Sequence, residues 1–241
     1  EAEALKRLDE LLQTPTAAVI FEPLLQGAGG MAMVRETFLQ AVEQRVRSAG
    51  ALVIADEVLT GFGRSGSLFA CHRAGIRPDI VSLSKGLTAG FLPMGVTLAS
   101  EALYQSFVGP EPDRTFFHGH SFTANPLGCA AAVASLDLLE REPHRYLTIE
   151  ARHRPHLERL AKHELVTKPR LMGGIAAFEL PGDSGYLQPI GLEVQRLALA
   201  EGLFIRPLGS VVYLMPPLGI NDDELAQCYS GLEAVLDGLP L

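Results

Sequence analysis

ALVIADEVLTGFGRSG, residues 51–66, is the stretch that decides the fold class of this chain. Its first five residues are apolar and predict a short buried strand over 51–55. The strand ends at two adjacent acids, Asp56 and Glu57, and a glycine-rich stretch follows them. Two acids at the end of a buried strand raise the question of which chemistry they serve.

The pattern around this strand repeats along the first half of the chain. Apolar residues at helical spacing over 1–13 and 36–49 alternate with apolar runs at 17–22, 79–83 and 94–99. Repeated helix and strand units with nearly continuous apolar strands are typical of a parallel sheet that is covered on both faces. The sequence therefore predicts an α/β fold with a mostly parallel sheet.

The chain changes character after Pro143. The pattern beyond it predicts a charged helix at 145–163 and a strand at 171–180, as in an α+β unit. We therefore predict two domains, the C-terminal part of a large domain over 1–142 and a small C-terminal domain over 143–241. Four histidines on or beside the charged helix are expected on its solvated face: His144, His153, His156 and His163.

The composition argues against several classes of function. The chain has 241 residues, 47% of them apolar, and a net charge of −8, so it can fill a large core but offers no basic footprint for nucleic acid or an anionic membrane. Its three cysteines are widely spaced and odd in number, which indicates free thiols in a reducing compartment. No apolar run approaches the roughly 18 residues of a membrane span, and no signal-peptide pattern opens the chain. We expect a soluble cytoplasmic protein.

Asp56 and Glu57 by themselves allow two other interpretations. An apolar strand that ends in Asp-Glu also positions magnesium in P-loop nucleotide hydrolases. That function requires a GxxxxGK[ST] loop, which this sequence does not contain and which only a preceding segment could supply. The alternative is that Asp56 simply caps the next turn, a common role for an aspartate after a strand.

Lys85 offers Asp56 a chemical partner. It lies in SLSKGLTAGF, at the end of the predicted strand 79–83. Parallel neighbours joined by a right-handed crossover end at the same edge of a sheet, where α/β proteins bind ligands. An amine there can form a Schiff base with a carbonyl group, while a carboxylate keeps a proton on a heterocyclic nitrogen, so that the ring withdraws electrons. Pyridoxal 5'-phosphate (PLP) requires this pair; the alternative is a partly exposed loop lysine.

Five stretches, in this order, resemble the class III PLP-dependent aminotransferases: FEPLLQGAGG, LVIADEVLTGFGRSG, LFAC, PDIVSLSKGLTAGFLPMG and HGHSFTANPLGCAAA. The resemblance extends from about Phe21 to Pro217. It implies fold type I of the PLP-dependent transferases, with part of the large domain followed by a smaller C-terminal domain. It also implies a transaminase with PLP as its cofactor.

The resemblance assigns roles to five residues. Lys85 carries the cofactor and, once freed, moves a proton between substrate and cofactor, so it is catalytic and binds both molecules. Asp56 pairs with the protonated pyridine nitrogen, and Val58, predicted on the same side of an extended strand, packs on the ring face. Arg206 receives the distant carboxylate of the substrate on its guanidinium fork. Glu22 supports the site.

The loop at 118–123 is implied to reach the other subunit of a homodimer. There the hydroxyl group of Ser121 binds the phosphate of the neighbour's cofactor, His120 contributes through its backbone, and Gly119 lines the substrate site. The loop therefore predicts a second copy of the chain as a partner.

Two further features bear on the site. Residues 26–30 are expected to form a tight turn near it, or a turn with a purely structural role. The pairs His118 with His120 and Cys71 with His72 lack a third and fourth ligand at zinc spacing. No metal site is therefore predicted.

The LFAC, HGHSF and FIRPLGSVVYLMPP stretches resemble family members that serve biotin biosynthesis. They imply transfer of an amino group from S-adenosylmethionine to 8-amino-7-oxononanoate, which gives 7,8-diaminononanoate. The alternatives are another class III transaminase acting on an ω-amine or ornithine-type substrate, or an inactive remnant with an assembly role. Because the N-terminal part that supplies the phosphate cup in the family is not recognisable here, we expect weak cofactor retention and little activity unless that segment is supplied.

Overall fold

The computed structural model describes residues 1–182 and 188–239. Contacts divide the chain into two compact units. The first unit holds residues 1–24, 34–62 and 69–142, and the second holds residues 25–33 and 63–68 and the described residues from Pro143 onward. The second unit thus includes two short segments that lie inside the predicted large domain, and the division into domains at 142/143 stays a prediction.

The helices predicted over 1–13 and 36–49 are observed, within two residues at each end. In the described residues the helices are α1 (Ala2–Leu11), α2 (Glu36–Ser48), α3 (Ala70–Ala74), α4 (Glu101–Gln105), α5 (Pro126–Arg141), α6 (His144–Leu147), α7 (Ile149–Leu160), α8 (Ile190–Ala200) and α9 (Asp222–Asp237), with short 3₁₀ turns at Lys85–Thr88 and Pro112–Arg114. The Asn125 side chain caps α5 by accepting a hydrogen bond from the Gly128 N–H group at 3.0 Å. At the start of α9, Asn221 and Glu224 form a capping box.

The strands form three sheets. They are β1 (Ala18–Phe21), β2 (Leu25–Gln26), β3 (Ala32–Met33), β4 (Leu52–Asp56), β5 (Ile80–Leu83), β6 (Val96–Ala99), β7 (Thr167–Met172), β8 (Ile175–Glu179) and β9 (Val211–Leu214). The sheet orders are β1-β4-β5-β6, β2-β3 and β7-β8-β9. Because β1, β4 and β5 are parallel, the predicted α/β fold with a mostly parallel sheet is confirmed.

β4, at the start of the stretch 51–66, lies in the core of the first unit, whereas residues 63–66 belong to the second unit. Val53 and Ala55 of β4 have no exposed surface, and Val42 and Val46 of α2 pack in the same cluster as Val53. Burying each valine side chain contributes about 1.5–3 kcal/mol. Gly50 has φ +74°, which suits the sharp exit from α2 into β4.

β6 is the one strand of this sheet that runs antiparallel to its neighbour, β5. Residues 84–95 connect the two strands through a short 3₁₀ turn instead of a full helical crossover. A parallel neighbour needs a crossover of a dozen or more residues, usually built around an α-helix. The twelve residues 84–95 contain no α-helix, and the chain returns in the opposite direction. The turn that replaces the crossover contains Lys85.

The second unit has a three-stranded antiparallel sheet, β7-β8-β9, with helices packed against it. Phe178 of β8, Val212 of β9 and Tyr229 of α9 are almost fully buried in one cluster. Leu157 and Leu160 of α7 join the same cluster. The four buried residues of β8, 175–178, explain why this strand reads as a continuous apolar run in the sequence.

The prediction of a single strand over 171–180 is wrong. The structure divides it into the end of β7 and all of β8, joined by Gly173 and Gly174. Gly173 has φ +52°, and a Cβ atom there would lie 2.3 Å from the Gly66 nitrogen and 2.4 Å from the Arg64 oxygen. The segment 63–68 thus packs directly on this turn, which leaves no space for a side chain.

The prediction that all four histidines lie on a solvated face is wrong for His153. The charged helix over 145–163 is split into α6 and α7, and His153 of α7 has no exposed surface. Its Nδ1 atom lies 2.8 Å from the Tyr229 hydroxyl group in α9. The physical reason is helical spacing, because Ile149 and Leu157, four residues to either side, are buried on the same face.

The part of the chain that the structure describes contains no helix long and apolar enough to cross a membrane. All three cysteines are free, as predicted. Cys71 is buried, and burial and then the neighbouring Glu57 raise the pKa of its thiol. A thiol in this environment stays protonated, so Cys71 acts as a small core residue.

Candidate active site

The carboxyl edge of the parallel sheet brings three predicted site residues of the first unit together. Glu22 directly follows β1 and is level with Asp56 at the end of β4. Asp56 is paired with Ser82 of β5, and Lys85 comes three residues later. Because adjacent strands lie about 5 Å apart, two carboxylates and an amine follow three consecutive strands of one edge.

Asp56 uses only one of its carboxylate oxygens within the described residues. Its Oδ1 atom accepts a hydrogen bond from the Val58 N–H group at 3.0 Å, and its Oδ2 atom has no partner there. The side chain is half-buried. This short loop is the turn-capping role that aspartate often has after a strand, and it leaves one oxygen for a ligand.

The predicted placement of Val58 rests on an extended strand, and that premise is wrong. β4 ends at Asp56, and Val58 lies in the turn that follows. The alternation of side chains along a strand therefore does not extend to this residue. A contact between Val58 and a bound ring stays a prediction without that support.

Lys85 begins the 3₁₀ turn that follows β5. Its backbone φ is +42°, in the left-handed region that residues with side chains rarely adopt. Its side chain is exposed and forms no hydrogen bond or ion pair within the described residues. Strained backbone conformations of this kind cost about 1–3 kcal/mol and cluster at functional sites.

The turn that holds Lys85 is fixed from several sides. The Gly90 N–H group donates to the Lys85 carbonyl group at 3.2 Å, and the Ser135 hydroxyl group of α5 donates to the Gly86 carbonyl group at 3.1 Å. A Cβ atom on Gly86 would lie 2.8 Å from the Phe62 side chain. Packing therefore imposes the unusual backbone conformation, and the lysine side chain itself contributes nothing to it.

Glu57, the second acid, serves a different purpose from Asp56. Its side chain is fully buried. It accepts hydrogen bonds from the N–H groups of Cys71 at 2.7 Å and Ala70 at 3.0 Å and from the Thr60 hydroxyl group at 2.7 Å. The carboxylate of Glu57 therefore has a structural hydrogen-bonding role.

The loop residues Gly119, His120 and Ser121 are exposed in the first unit. The His120 N–H group donates to the Thr123 hydroxyl group at 3.0 Å, and its Nδ1 atom accepts from the Phe122 N–H group at 3.1 Å. The Ser121 hydroxyl group has no partner among the described residues. Their phosphate and substrate contacts stay predictions.

Arg206 belongs to the second unit. Its side chain is exposed and forms no hydrogen bond or ion pair within the described residues. It lines a cavity of about 290 Å³ together with Gln188, Gln195 and Leu192. The guanidinium group is thus free to receive a carboxylate, and its role as a substrate-binding residue stays a prediction.

The predicted turn over 26–30 is confirmed as a turn. It joins β2 to β3, and the Gly27 carbonyl group accepts hydrogen bonds from the N–H groups of Gly30 at 3.2 Å and Met31 at 3.1 Å. Its place near the site stays a prediction. Among the residues that the structure describes, no group of three or more His, Cys, Asp or Glu side chains could hold a metal ion.

One family of known proteins matches nearly the whole chain. The sequence profile of the family described as "Aminotransferase class-III" matches residues 1–236. This chain belongs to the class III aminotransferase family.

Two relatives with curated descriptions bear the same name, adenosylmethionine-8-amino-7-oxononanoate aminotransferase. The protein of Synechococcus elongatus is 55% identical over 98% of this chain and 56% of its own length. The protein of Geobacter sulfurreducens is 42% identical over 96% of this chain and 54% of its own length. The chain thus spans about half the length of the relatives that it matches.

Solved structures of transaminases superimpose on the chain. An aminotransferase of Bacillus anthracis has a TM-score of 0.90 and 28% identity over 98% of this chain and 56% of its own. A PLP-bound amine transaminase from an uncultivated Pseudomonas species has a TM-score of 0.89 and 32% identity over 98% of this chain and 56% of its own.

Two local features were not predicted from the sequence: the backbone conformation of Lys85 and the hydrogen bonds of Glu57. The left-handed backbone of Lys85 had no signal, because lysine is not a residue that usually marks such positions. The hydrogen bonds of Glu57 to residues distant in sequence had a weak signal. α3 begins after Phe69, which has no capping side chain, so its first N–H groups need an acceptor from elsewhere in the chain.

Proposed function

We propose that this chain carries the cofactor-binding lysine and aspartate of a PLP-dependent aminotransferase. In the whole protein, this site would transfer an amino group from S-adenosylmethionine to 8-amino-7-oxononanoate and yield 7,8-diaminononanoate. The observation that carries the proposal is the edge of the parallel sheet, where Lys85 follows β5 and Asp56 ends β4. Membership of the class III family supports the reaction class, and the names of the relatives support the substrates.

The residues present fit PLP. Lys85 has an exposed amine without a partner among the described residues, and Asp56 has one carboxylate oxygen to spare. When bound, the cofactor supplies a ring that takes up electrons from the bond being broken. Asp56 would hold the proton on the ring nitrogen, and the Nζ atom of Lys85 would anchor the cofactor and move the substrate proton.

Arg206 and Ser121 are the residues that we assign to the anionic groups of the substrate and the cofactor. The free guanidinium group of Arg206 suits the carboxylate of 8-amino-7-oxononanoate. The Ser121 hydroxyl group is free to bind phosphate, whereas the N–H group of His120 already donates to Thr123. We therefore assign the phosphate contact to Ser121 first, and His120 would have to open its own turn to contribute.

A homodimer would bring the Ser121 loop of one copy to the cofactor of the other. Three phenylalanines in and beside this loop are unusually exposed: Phe116 at 67%, Phe117 at 86% and Phe122 at 76%. Large apolar side chains that are exposed together in one loop are candidates for a protein interface. The proposal is that a second copy of the chain covers it.

The first experiment measures the visible absorbance of PLP added to the purified chain. A band from the lysine adduct is expected, weak in this chain and stronger when the N-terminal segment of the relatives is supplied. The band should disappear in Lys85→Ala. Lys168→Ala is the matched control, because Lys168 also has a left-handed backbone, with φ +47°, and lies in the second unit. A band of equal strength in Lys85→Ala would contradict the assignment of Lys85.

The second experiment separates the substrates. Amino donors are compared in the whole protein with 8-amino-7-oxononanoate as acceptor. S-adenosylmethionine is expected to serve as amino donor and simple diamines are not, because the relative at 55% identity is named for adenosylmethionine. The opposite result would favour an ω-amine or ornithine-type transaminase, which the amine transaminase structure at 32% identity makes the alternative. Failure of every donor and of PLP binding would leave a remnant with an assembly role.

A further inference from the structure

We propose that Glu57 is a positioning residue for Asp56, which it orients through the turn that both residues share. The inference rests on the proposed role of Asp56 at the pyridine nitrogen. Glu57 itself is fully buried. Its carboxylate therefore cannot bind substrate, and any effect on the reaction must pass through its neighbours.

The carboxylate of Glu57 joins two segments that are distant in sequence. Its Oε1 atom accepts from the Cys71 N–H group at 2.7 Å. Its Oε2 atom accepts from the Ala70 N–H group at 3.0 Å and the Thr60 hydroxyl group at 2.7 Å. Glu57 thus caps α3, and the same side chain fastens the turn after β4 to that helix.

The backbone of Glu57 closes this turn on both sides. Its N–H group donates to the Ser82 carbonyl group of β5 at 3.0 Å, and its carbonyl group accepts from the Gly61 N–H group at 3.0 Å. A Cβ atom at Gly61 would lie 2.9 Å from the Glu57 oxygen. The turn from Asp56 to Gly61 is therefore tightly closed around Glu57.

Asp56 takes its orientation from the same turn. Its Oδ1 atom is held by the N–H group of Val58 at 3.0 Å, and Glu57 is the residue between them. A movement of Glu57 therefore moves the donor that fixes the Asp56 carboxylate. The hydrogen bond from Val58 is the one that the carboxylate makes among the described residues.

The three donors around Glu57 require a carboxylate. A carboxylate only accepts hydrogen bonds, whereas the amide of glutamine offers one accepting oxygen and an NH₂ group that donates. In Glu57→Gln, the NH₂ group must face at least one of the backbone N–H groups of Ala70 and Cys71 or the Thr60 hydroxyl group. The turn is then expected to shift, although the side chain keeps its size.

The test is a double-mutant cycle on cofactor affinity, read from the absorbance of PLP bound to the protein. The four proteins are the wild type, Glu57→Gln, Asp56→Asn and the double variant. Glu57→Gln is expected to weaken PLP binding about tenfold when Asp56 is present and less than about twofold in the Asp56→Asn background, because residues that act through one another are not additive. Single-turnover rates in the whole protein should follow the same pattern.

Thr60→Val is the milder variant if Glu57→Gln does not fold. It removes one hydrogen bond to Oε2 and leaves the carboxylate in place, so a loss of affinity of about threefold is expected, again only when Asp56 is present. Tyr229→Phe in the second unit is the matched control, because it also removes one buried hydroxyl group. It should lower stability with an unchanged PLP affinity.

The outcomes separate the two proposals. Equal losses of affinity from Glu57→Gln in both backgrounds, or no loss from either Glu57→Gln or Thr60→Val, would overturn the positioning role. An Asp56→Asn variant with wild-type affinity and wild-type rates would instead remove Asp56 from the site and so contradict the proposed function.

Discussion

The two units use their ionisable side chains in opposite ways. At the sheet edge of the first unit, Lys85 has no partner among the described residues, and Asp56 uses only one carboxylate oxygen. In the core of the second unit, His153 and Tyr229 are fully buried. The Nδ1 atom of His153 lies 2.8 Å from the hydroxyl group of Tyr229. The His156 ring stacks on Tyr229, with ring centroids 5.0 Å apart.

This difference distinguishes groups that hold the protein together from groups whose hydrogen-bonding capacity is not used within the described residues. Buried polar groups are usually paired, because an unpaired one costs free energy. A strained lysine beside a half-used carboxylate makes no such contribution to folding. Changes at the sheet edge should therefore reduce function with little loss of stability, and changes among the buried core residues of the second unit should do the reverse.

Asp56→Asn should have the largest effect on function. If Asp56 holds the ring proton of PLP, the rate of amino transfer in the whole protein should fall by about 10²–10³-fold, the usual loss when one electrostatic contact to the reacting group is removed. Asparagine can still accept the Val58 hydrogen bond, so the free energy of unfolding should change by less than about 0.5 kcal/mol. Steady-state kinetics and chemical denaturation measure the two effects. A large loss of stability would show that Asp56 belongs with the core groups.

Gly173→Ala should have the largest effect on stability. The new Cβ atom would meet the Gly66 nitrogen at 2.3 Å, at a residue with φ +52°, so a loss of about 3 kcal/mol is expected. Gly202→Ala is the matched control in the same unit, with φ +75° and open space around the Cβ position. It should cost only about 1 kcal/mol. Equal losses in urea denaturation would show that segment 63–68 does not pack tightly on the β7–β8 turn.

The buried histidine should make stability depend on pH. Burial, and then the charge of Arg152, lower the pKa of His153 from 6.5 to about 4. Its Nε2 atom is buried and has no hydrogen-bond partner among the described residues, so a charged ring would be poorly solvated in the folded state. Below pH 6.5 the unfolded chain takes up a proton that the folded chain resists. The stability that is fully present above pH 6.5 should thus fall by about 1.4 kcal/mol per pH unit and level off below pH 4.

His153→Gln isolates this contribution. Glutamine can keep a hydrogen bond to Tyr229 and has no proton to gain. Between pH 4 and 6.5 the free energy of unfolding of the variant should therefore change by about 3 kcal/mol less than that of the wild type. Urea denaturation at several pH values measures the difference. The same pH dependence in both proteins would remove His153 as its cause.

Much of the fold could be predicted because it depends on local patterns. Apolar runs predicted β1, β4, β5 and β6, and helical spacing predicted α1 and α2. The direction of β6 could not be predicted, because it depends on how residues 84–95 connect it to β5 and not on the residues of the strand. The Gly173-Gly174 pair between two apolar runs was a signal for a hairpin that the continuous run of small and apolar residues concealed.

The candidate site shows the same difference between features that follow from local patterns and features that depend on distant contacts. The position of Lys85 and Asp56 at one sheet edge was predictable because Asp56 ends one apolar strand, Lys85 follows the next, and the two strands are parallel. The partners of Glu57 were not predictable, since Ala70 and Cys71 donate through backbone N–H groups that any residue has. His153 was predictable in principle from its spacing to Ile149, but a histidine among charged residues resembles a surface position.

Substitutions at Lys85 should have the smallest of the predicted effects, a small difference in the free energy of unfolding, and they test the backbone strain at this position most directly. With φ +42°, a residue that has a Cβ atom is disfavoured there, whereas glycine adopts this conformation readily. Lys85→Gly should therefore be about 1 kcal/mol more stable than Lys85→Ala, as measured by chemical denaturation. At the exposed helical position Lys6 of α1 the order should be reversed, with glycine about 1 kcal/mol less stable than alanine. If alanine were the more stable residue at both positions, the left-handed turn would not be imposed by the packing of Gly86 against Phe62, and the contrast between a strained edge and a relaxed core would fail.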